Sequence, residues 1–182
     1  MMARMRRTPG TNPAPLPAKR LRIVSGGQSG ADRAALDWAI ARGIAHGGWC
    51  PRGRRAEDGR IAERYALRET PSRDYEQRTR WNVRDSDGTL IVSRAAVLTG
   101  GSAYTARCAE RLGRPWLHAH PGADDPAPIR AFLARHRIRT LNVAGPRASG
   151  DPGIYGYVFG LLERLEVAAP LESAGIRWTT KT

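Results

Sequence analysis

Three stretches of the chain set glycine beside hydroxyl or charged residues, the combination that anion binding needs. The first reads Ser25-Gly26-Gly27-Gln28-Ser29-Gly30-Ala31-Asp32. Gly26, Gly27 and Gly30 can leave backbone N–H groups open to an anion. A helix starting just after them adds unpaired donors and the positive end of its dipole. Ser29 can cap that helix or donate to a phosphate oxygen, with Gln28 beside it. Asp32 falls in the first turn, where a carboxylate is favoured. The loop is not G-x-G-x-x-G and has no Walker A lysine, and a tight turn without ligand would use the same residues. The second stretch, Thr99-Gly100-Gly101-Ser102-Ala103-Tyr104-Thr105, again leads a glycine pair into a helix with hydroxyls in its first turns, here Ser102 and Thr105. The third, Ala144-Gly145-Pro146-Arg147, offers an arginine that can pair with phosphate. Together these predict a phosphate cradle built from several loops.

Other groups suit a second role. Arg52, Arg54 and Arg55 can clamp another phosphate or an oxyanion, with Glu57 and Asp58 holding them; a solvated loop with local ion pairs fits equally well. Asp85 and Asp87 resemble part of an acidic metal loop, but Asp85-Ser86-Asp87-Gly88 lacks the downstream Glu of a calcium site and also reads as a turn. His118 and His120 share a strand face with no third ligand in view. Cys50 and Cys108 read as small buried hydrophobes. No metal site is expected.

The elements that must position these residues alternate between strand and helix. Short apolar runs at Leu21–Ser25, Ile44–Trp49, Thr89–Val92, Pro115–His118 and Arg139–Val143 predict strands. Helical patterns run from Gly30 to a glycine stop at Gly43, and over Ile61–Leu67, Tyr75–Val83, Ser102–Leu112, Pro128–His136 and Gly153–Val167. Pro51–Asp58 reads as a polar loop. This order predicts an α/β fold, a Rossmann-like doubly wound and mainly parallel sheet with helices on both faces. Ligands of such sheets sit at the carboxyl ends of the strands, where all three glycine stretches fall. The strands ending near Ser25 and Val92 are expected to be neighbours.

With 182 residues, 41% of them hydrophobic, the chain has room for one core. Residues 1–20, rich in proline and basic side chains, are expected to form a disordered tail. Residues 21–169 are expected to form the single ligand-binding domain, and residues 170–182 an extension of unassigned structure. The basic start is followed by no apolar run, so neither a secretory leader nor a membrane span is expected. Two cysteines exclude a disulfide scaffold and fit a reducing cytoplasm. The formal charge is +13, and all the lysines and arginines but Lys19 and Lys181 are Arg. No nucleic-acid motif accompanies that charge, so nucleic-acid binding is expected to be weak, non-specific and salt-sensitive.

Five segments carry a family resemblance: Ser25 to Asp32, Gly48 to Gly59, Arg78 to Thr89, Gly100-Gly101-Ser102 and Leu141 to Arg147. Over residues 21–168 the chain resembles the putative molybdenum carrier family. That family is similar to the molybdenum cofactor carrier proteins, within the Rossmann-like SLOG superfamily. The resemblance implies a homo-oligomeric (dimeric or tetrameric) carrier for a phosphorylated heterocyclic small molecule such as the molybdenum cofactor, molybdopterin. The alternative it implies is an enzyme acting on a nucleotide or ribosyl phosphate, related to lonely-guy-type phosphoribohydrolases. Those enzymes share P-G-G-x-G-T-x-E. Here Thr99 stands at the Pro, Ala103 at the third Gly, Tyr104 at the Thr and Ala106 at the Glu. A methyl group does no acid–base chemistry. An enzyme would therefore have to use Glu57, Asp58 or Asp85 instead.

Overall fold

A computed structural model describes residues 21–166. The tail expected over 1–20 and the extension expected over 170–182 lie outside the described residues. In chain order the elements are β1 (Arg22–Val24), α1 (Ala31–Ala41), β2 (Ala45–Cys50), β3 (Arg55–Ala56), β4 (Gly59–Arg60), β5 (Leu67–Glu69) and α2 (Tyr75–Arg84). They continue with β6 (Gly88–Val92), α3 (Gly100–Arg111), β7 (Trp116–Ala119), α4 (Pro126–Arg135), β8 (Thr140–Ala144) and α5 (Ile154–Glu166). Six strands form one parallel sheet in the order β5-β2-β1-β8-β6-β7, and β3 and β4 form a separate antiparallel hairpin.

The centre of the sheet is buried on both faces, which is why β6 and β8 read as mainly apolar runs rather than alternating ones. Every residue of β6 is buried. On one face Ile23, Leu90, Val92, Leu141 and Val143 pack against α1, α4 and α5 in the largest core. On the other, Val83 of α2 and Cys108 and Ala109 of α3 form a smaller cluster. Each fully buried Leu or Ile contributes roughly 1.5–3 kcal/mol. The doubly wound, Rossmann-like architecture is thus the one the alternating elements predict.

Two local expectations need correction. Ile61–Leu67 is not a helix. It is a coil that enters the short edge strand β5, because the buried guanidinium of Arg54 takes the carbonyls a helix would need. Arg54 donates through Nε to Ile61 O (2.9 Å), through Nη1 to Leu67 O (3.1 Å) and through Nη2 to Ala62 O (2.8 Å) and Tyr65 O (2.9 Å). The segment read as a polar loop holds the first strand of the β3–β4 hairpin. The second correction concerns neighbours: β8 lies between β1 and β6, pairing with both. Ser25 at the end of β1 records the insertion, its hydroxyl donating to Val143 O of β8 (2.7 Å).

Candidate functional site

Parallel pairing brings the carboxyl ends of β1, β8 and β6 to one edge, and the loops after them surround a cleft of about 880 Å³. All three glycine stretches contribute to its lining. They do so unequally, and their side chains show why.

The β1–α1 loop is packed from within. Gly27 and Gly30 hold positive φ, +74° and +81°. A Cβ on Gly27 would meet Leu67 Cδ1 at 2.5 Å, and one on Gly30 would meet Pro146 O and Ala148 N at 2.7 and 2.8 Å. The space these glycines leave is filled by protein, not left open to an anion. The Ser29 hydroxyl is spent as well: it donates to Glu57 and accepts from Ala148 N–H (3.1 Å). What the loop presents to the cleft is Gln28 and Asp32. Asp32 is 3% exposed, accepts from Gln28 N–H (3.3 Å) and pairs with Arg78 Nη1 (3.1 Å). Burial raises its carboxyl above the ordinary value, and the Arg78 charge opposes that rise. Gly26 is required by the same pair, since a Cβ there would collide with the Arg78 guanidinium and come within 2.8 Å of Asp32 Oδ2.

The β6–α3 loop is open. A Cβ on Gly100 or Gly101 would meet nothing within 4 Å. Helix α3 starts with Thr99 in its N-cap position but receives no side-chain cap, so its first turn faces the cleft with donors uncovered. Ser102 is buried there. Thr105 donates back to Gly101 O (2.9 Å), which leaves a lone pair on its hydroxyl. From the β8–α5 loop come Gly145, Pro146 and Arg147, the last at 51% side-chain exposure and 3.8 Å from Glu57 Oε2.

The structure places other candidates elsewhere. Arg54 is a staple of the backbone. Arg55 is exposed beside the Tyr75 ring (6.0 Å) and is not part of the cleft lining. Asp58 makes a two-pronged pair with Arg33, both contacts at 3.1 Å. Asp85, at the far end of α2, accepts from Trp49 Nε1 (2.7 Å). Asp87 caps the start of β8 through Arg139 and Thr140 N–H (3.0 and 2.8 Å), on the edge opposite the cleft. His118 contacts Ser93 Oγ through Nε2 (2.7 Å), and burial together with His120 lowers its pKa. Cys50 and Cys108 are free and buried. Among the described residues no three His, Cys, Asp or Glu side chains gather to hold a metal, and no helix is long and apolar enough to cross a membrane.

Glu57 ties three segments together. It accepts from Ser29, from Ser149 N–H (3.0 Å) and from Ser149 Oγ (2.5 Å), joining the hairpin to the β1 and β8 loops. Desolvation opposes its ionisation, but the Ser149 and Ser29 donors and the Arg147 charge outweigh it and hold the carboxyl below its ordinary 4.5. A lowered folded-state pKa gives stability that is complete above 4.5 and is lost as pH falls through the folded value. Glu57→Gln should therefore flatten part of the acid limb in a series of thermal melts. An acid limb identical to the parent's would show that the tie has no energetic role.

The sequence reading missed Arg78, Tyr75 and Arg107, all of which line the cleft. Helix α2 follows β5, so its first turns lie at the carboxyl edge of the sheet. With Ile61–Leu67 read as a helix, nothing placed Tyr75 and Arg78 there. Arg107 had a signal of its own: it lies two residues after Thr105, one helical turn beyond Tyr104, whose ring it covers at 5.9 Å.

Comparison with known proteins follows the same lines. Residues 23–166 match the model of the circularly permutated YpsA SLOG family. The chain is similar to the crystal structure of a putative molybdenum carrier protein from Syntrophus aciditrophicus SB, at 50% identity and a TM-score of 0.78. The match covers 82% of this chain and 96% of that one. No curated protein matches the chain.

Proposed function

The chain belongs to the circularly permutated YpsA SLOG family, and from that premise we propose that it is a carrier that binds a phosphorylated heterocyclic small molecule, with the molybdenum cofactor as the first candidate. One observation carries the reading. The first turn of α3, without a side-chain cap, opens onto a cleft whose lining also holds Arg78, Arg107 and Arg147. Uncovered N–H groups beside arginines favour a ligand rich in acceptors. Gly100, Gly101 and Ser102 would take the phosphate, where the helix dipole favours negative charge. Arg147 and Arg107 would add charge at the rim. Tyr75 and Tyr104 line the cleft and would pack beside a planar heterocycle. No cysteine lines the cleft, so the protein would grip the organic part of the cofactor and leave the metal to the cofactor's own sulfur atoms.

Native mass spectrometry of freshly purified protein tests this. The expected result is an added mass that acid denaturation releases as a phosphorylated heterocycle. Protein that carries nothing, and that binds neither pterin phosphates nor nucleotides at millimolar concentration, would overturn the reading. Arg147→Ala should weaken binding only about fivefold, because an exposed charge contact contributes at most ~1 kcal/mol. A loss of a hundredfold would move the centre of the site to the β8–α5 loop.

A further inference from the structure

Three arginines from three segments gather around one aromatic ring. Arg55 of β3, Arg78 of α2 and Arg147 of the β8–α5 loop hold their guanidinium carbons 6.0, 5.9 and 5.6 Å from the centroid of the Tyr75 ring. These distances lie near the ~6 Å limit of a cation–π contact, so the ring by itself is a weak reason for the gathering. Like charges brought together repel, and the three are not equally neutralised. Arg78 is paired with Asp32 at 3.1 Å, with both side chains largely buried. Arg147 comes no nearer than 3.8 Å to Glu57, a carboxylate that already accepts from Ser29 and Ser149. Arg55 is exposed and has no carboxylate partner among the described residues. Tyr75 is also the first residue of α2, whose N-cap residue Asp74 supplies no side-chain cap. The positive end of that helix therefore lies at the same place, offset in part by Glu76 in its first turn.

Tyr75 and Arg147 line the cleft that Gly100, Gly101 and Ser102 also line, and Arg55 stands just outside the lining. At about 880 Å³ the cleft is toward the upper end of small-molecule sites, with room for a ligand charged at more than one point. We propose that Arg55 and Arg147, gathered at the Tyr75 ring, form a second anion subsite that takes a second phosphate of the ligand. The proposal rests on the carrier reading above, with the first phosphate at the start of α3. It makes Arg55 a residue that determines specificity from outside the cleft lining, favouring ligands with two phosphates over ligands with one. The two phosphates can be adjacent, as in a diphosphate, or separated by a sugar.

The test is calorimetric titration of the full chain with AMP, ADP and adenosine 3′,5′-bisphosphate at low salt. The base is constant, so differences report the second phosphate. One or both of the latter two should bind at least about tenfold more tightly than AMP, through two charge-assisted contacts. Arg55→Gln combined with Arg147→Gln should reduce that advantage to about twofold, while AMP itself weakens by no more than about fivefold. As a control, Arg111→Gln with Arg135→Gln removes the same charge from the last turns of α3 and α4, away from the cleft, and should leave the advantage in place. Should the first double variant melt early, Arg55→Gln alone should still cut the advantage by about threefold or more.

Equal affinity for all three nucleotides would overturn the proposal while leaving the carrier reading intact. An equal loss of the advantage in the control would also overturn it, because net charge rather than the arginines at Tyr75 would then be what is felt. If none of the three binds at millimolar concentration the proposal falls, and the carrier reading falls with it only if a pterin phosphate also fails to bind. Tighter binding of ADP than of the 3′,5′-bisphosphate supports the proposal and assigns adjacent phosphates. The reverse order supports it and assigns separated ones.

Discussion

Arg54→Ala should lower the melting temperature by about 10 °C and open residues 51–74 to hydrogen exchange before the rest of the chain. The buried guanidinium serves four carbonyls, those of Ile61, Ala62, Tyr65 and Leu67. A hydrogen bond from a charged donor contributes about 1.5–3 kcal/mol, and breaking a buried charged network costs about 3–5 kcal/mol in all. For a chain of this length, 3 kcal/mol corresponds to roughly 6–12 °C. Arg54 sits at φ +50°, so the native backbone is also strained at this residue, and the guanidinium bonds outweigh that strain. Lysine should not rescue the variant, because one ammonium cannot span four carbonyls set around a planar fork. The cleft should suffer too, since β5 sets where α2 begins. A melting temperature within about 2 °C of the parent's would show that the carbonyls find water or other donors at no cost.

Gly101→Leu should do the opposite, leaving the fold intact and removing ligand binding. A Cβ at Gly101 meets nothing within 4 Å, and the residue sits in the first turn of α3 with no positive φ to preserve. Leucine is also a better helix former than glycine, by several tenths of a kcal/mol. The new side chain would extend into the space where an anion would reach the uncapped N–H groups. Affinity for a phosphorylated ligand should fall by about a hundredfold or more, with the melting temperature unchanged or slightly raised. Retained affinity would mean that the phosphate lies elsewhere. The matching change in the β1–α1 loop would be uninformative: a side chain at Gly27 runs into Leu67 and Ile61, and one at Gly30 into the Pro146–Ala148 backbone. Loss of binding there could follow from loss of packing.

Strands β1, β6 and β8 were legible because buried apolar residues dominate them, and the polar Thr89 and Asn142 inside the sheet bond each other. Helix α1 was legible to its last turn, Gly43 stopping it at φ +63°. Strand β5 was hidden because what prevents a helix there is a side chain several residues upstream in the chain, and periodicity within Ile61–Leu67 carries no trace of it. Chain order alone also does not reveal that β8 enters between β1 and β6. The three glycine stretches were found as the source of the cleft, but the division of labour between them depends on distant partners. Ser29 looks available for a phosphate until Glu57, 28 residues on, is seen to hold it. The Arg78–Asp32 pair spans 46 residues and is equally invisible to local reading.

The central position of β8 has a consequence for how the chain comes to be folded. Strands β1, β2 and β5 can associate once residue 69 has been made, and β6 and β7 once residue 119 has. Neither group can reach the other except through residues 140–144, the last strand among the described residues. Until then, both flanks expose an apolar strand edge that seeks a partner. The joining contacts are long-range, separated by 118 residues at Ser25 and Val143, and contacts of that separation slow folding. The binding cleft therefore cannot exist before β8 has been made, and a chain stalled short of β8 is half a sheet twice over, prone to pair with another copy of itself.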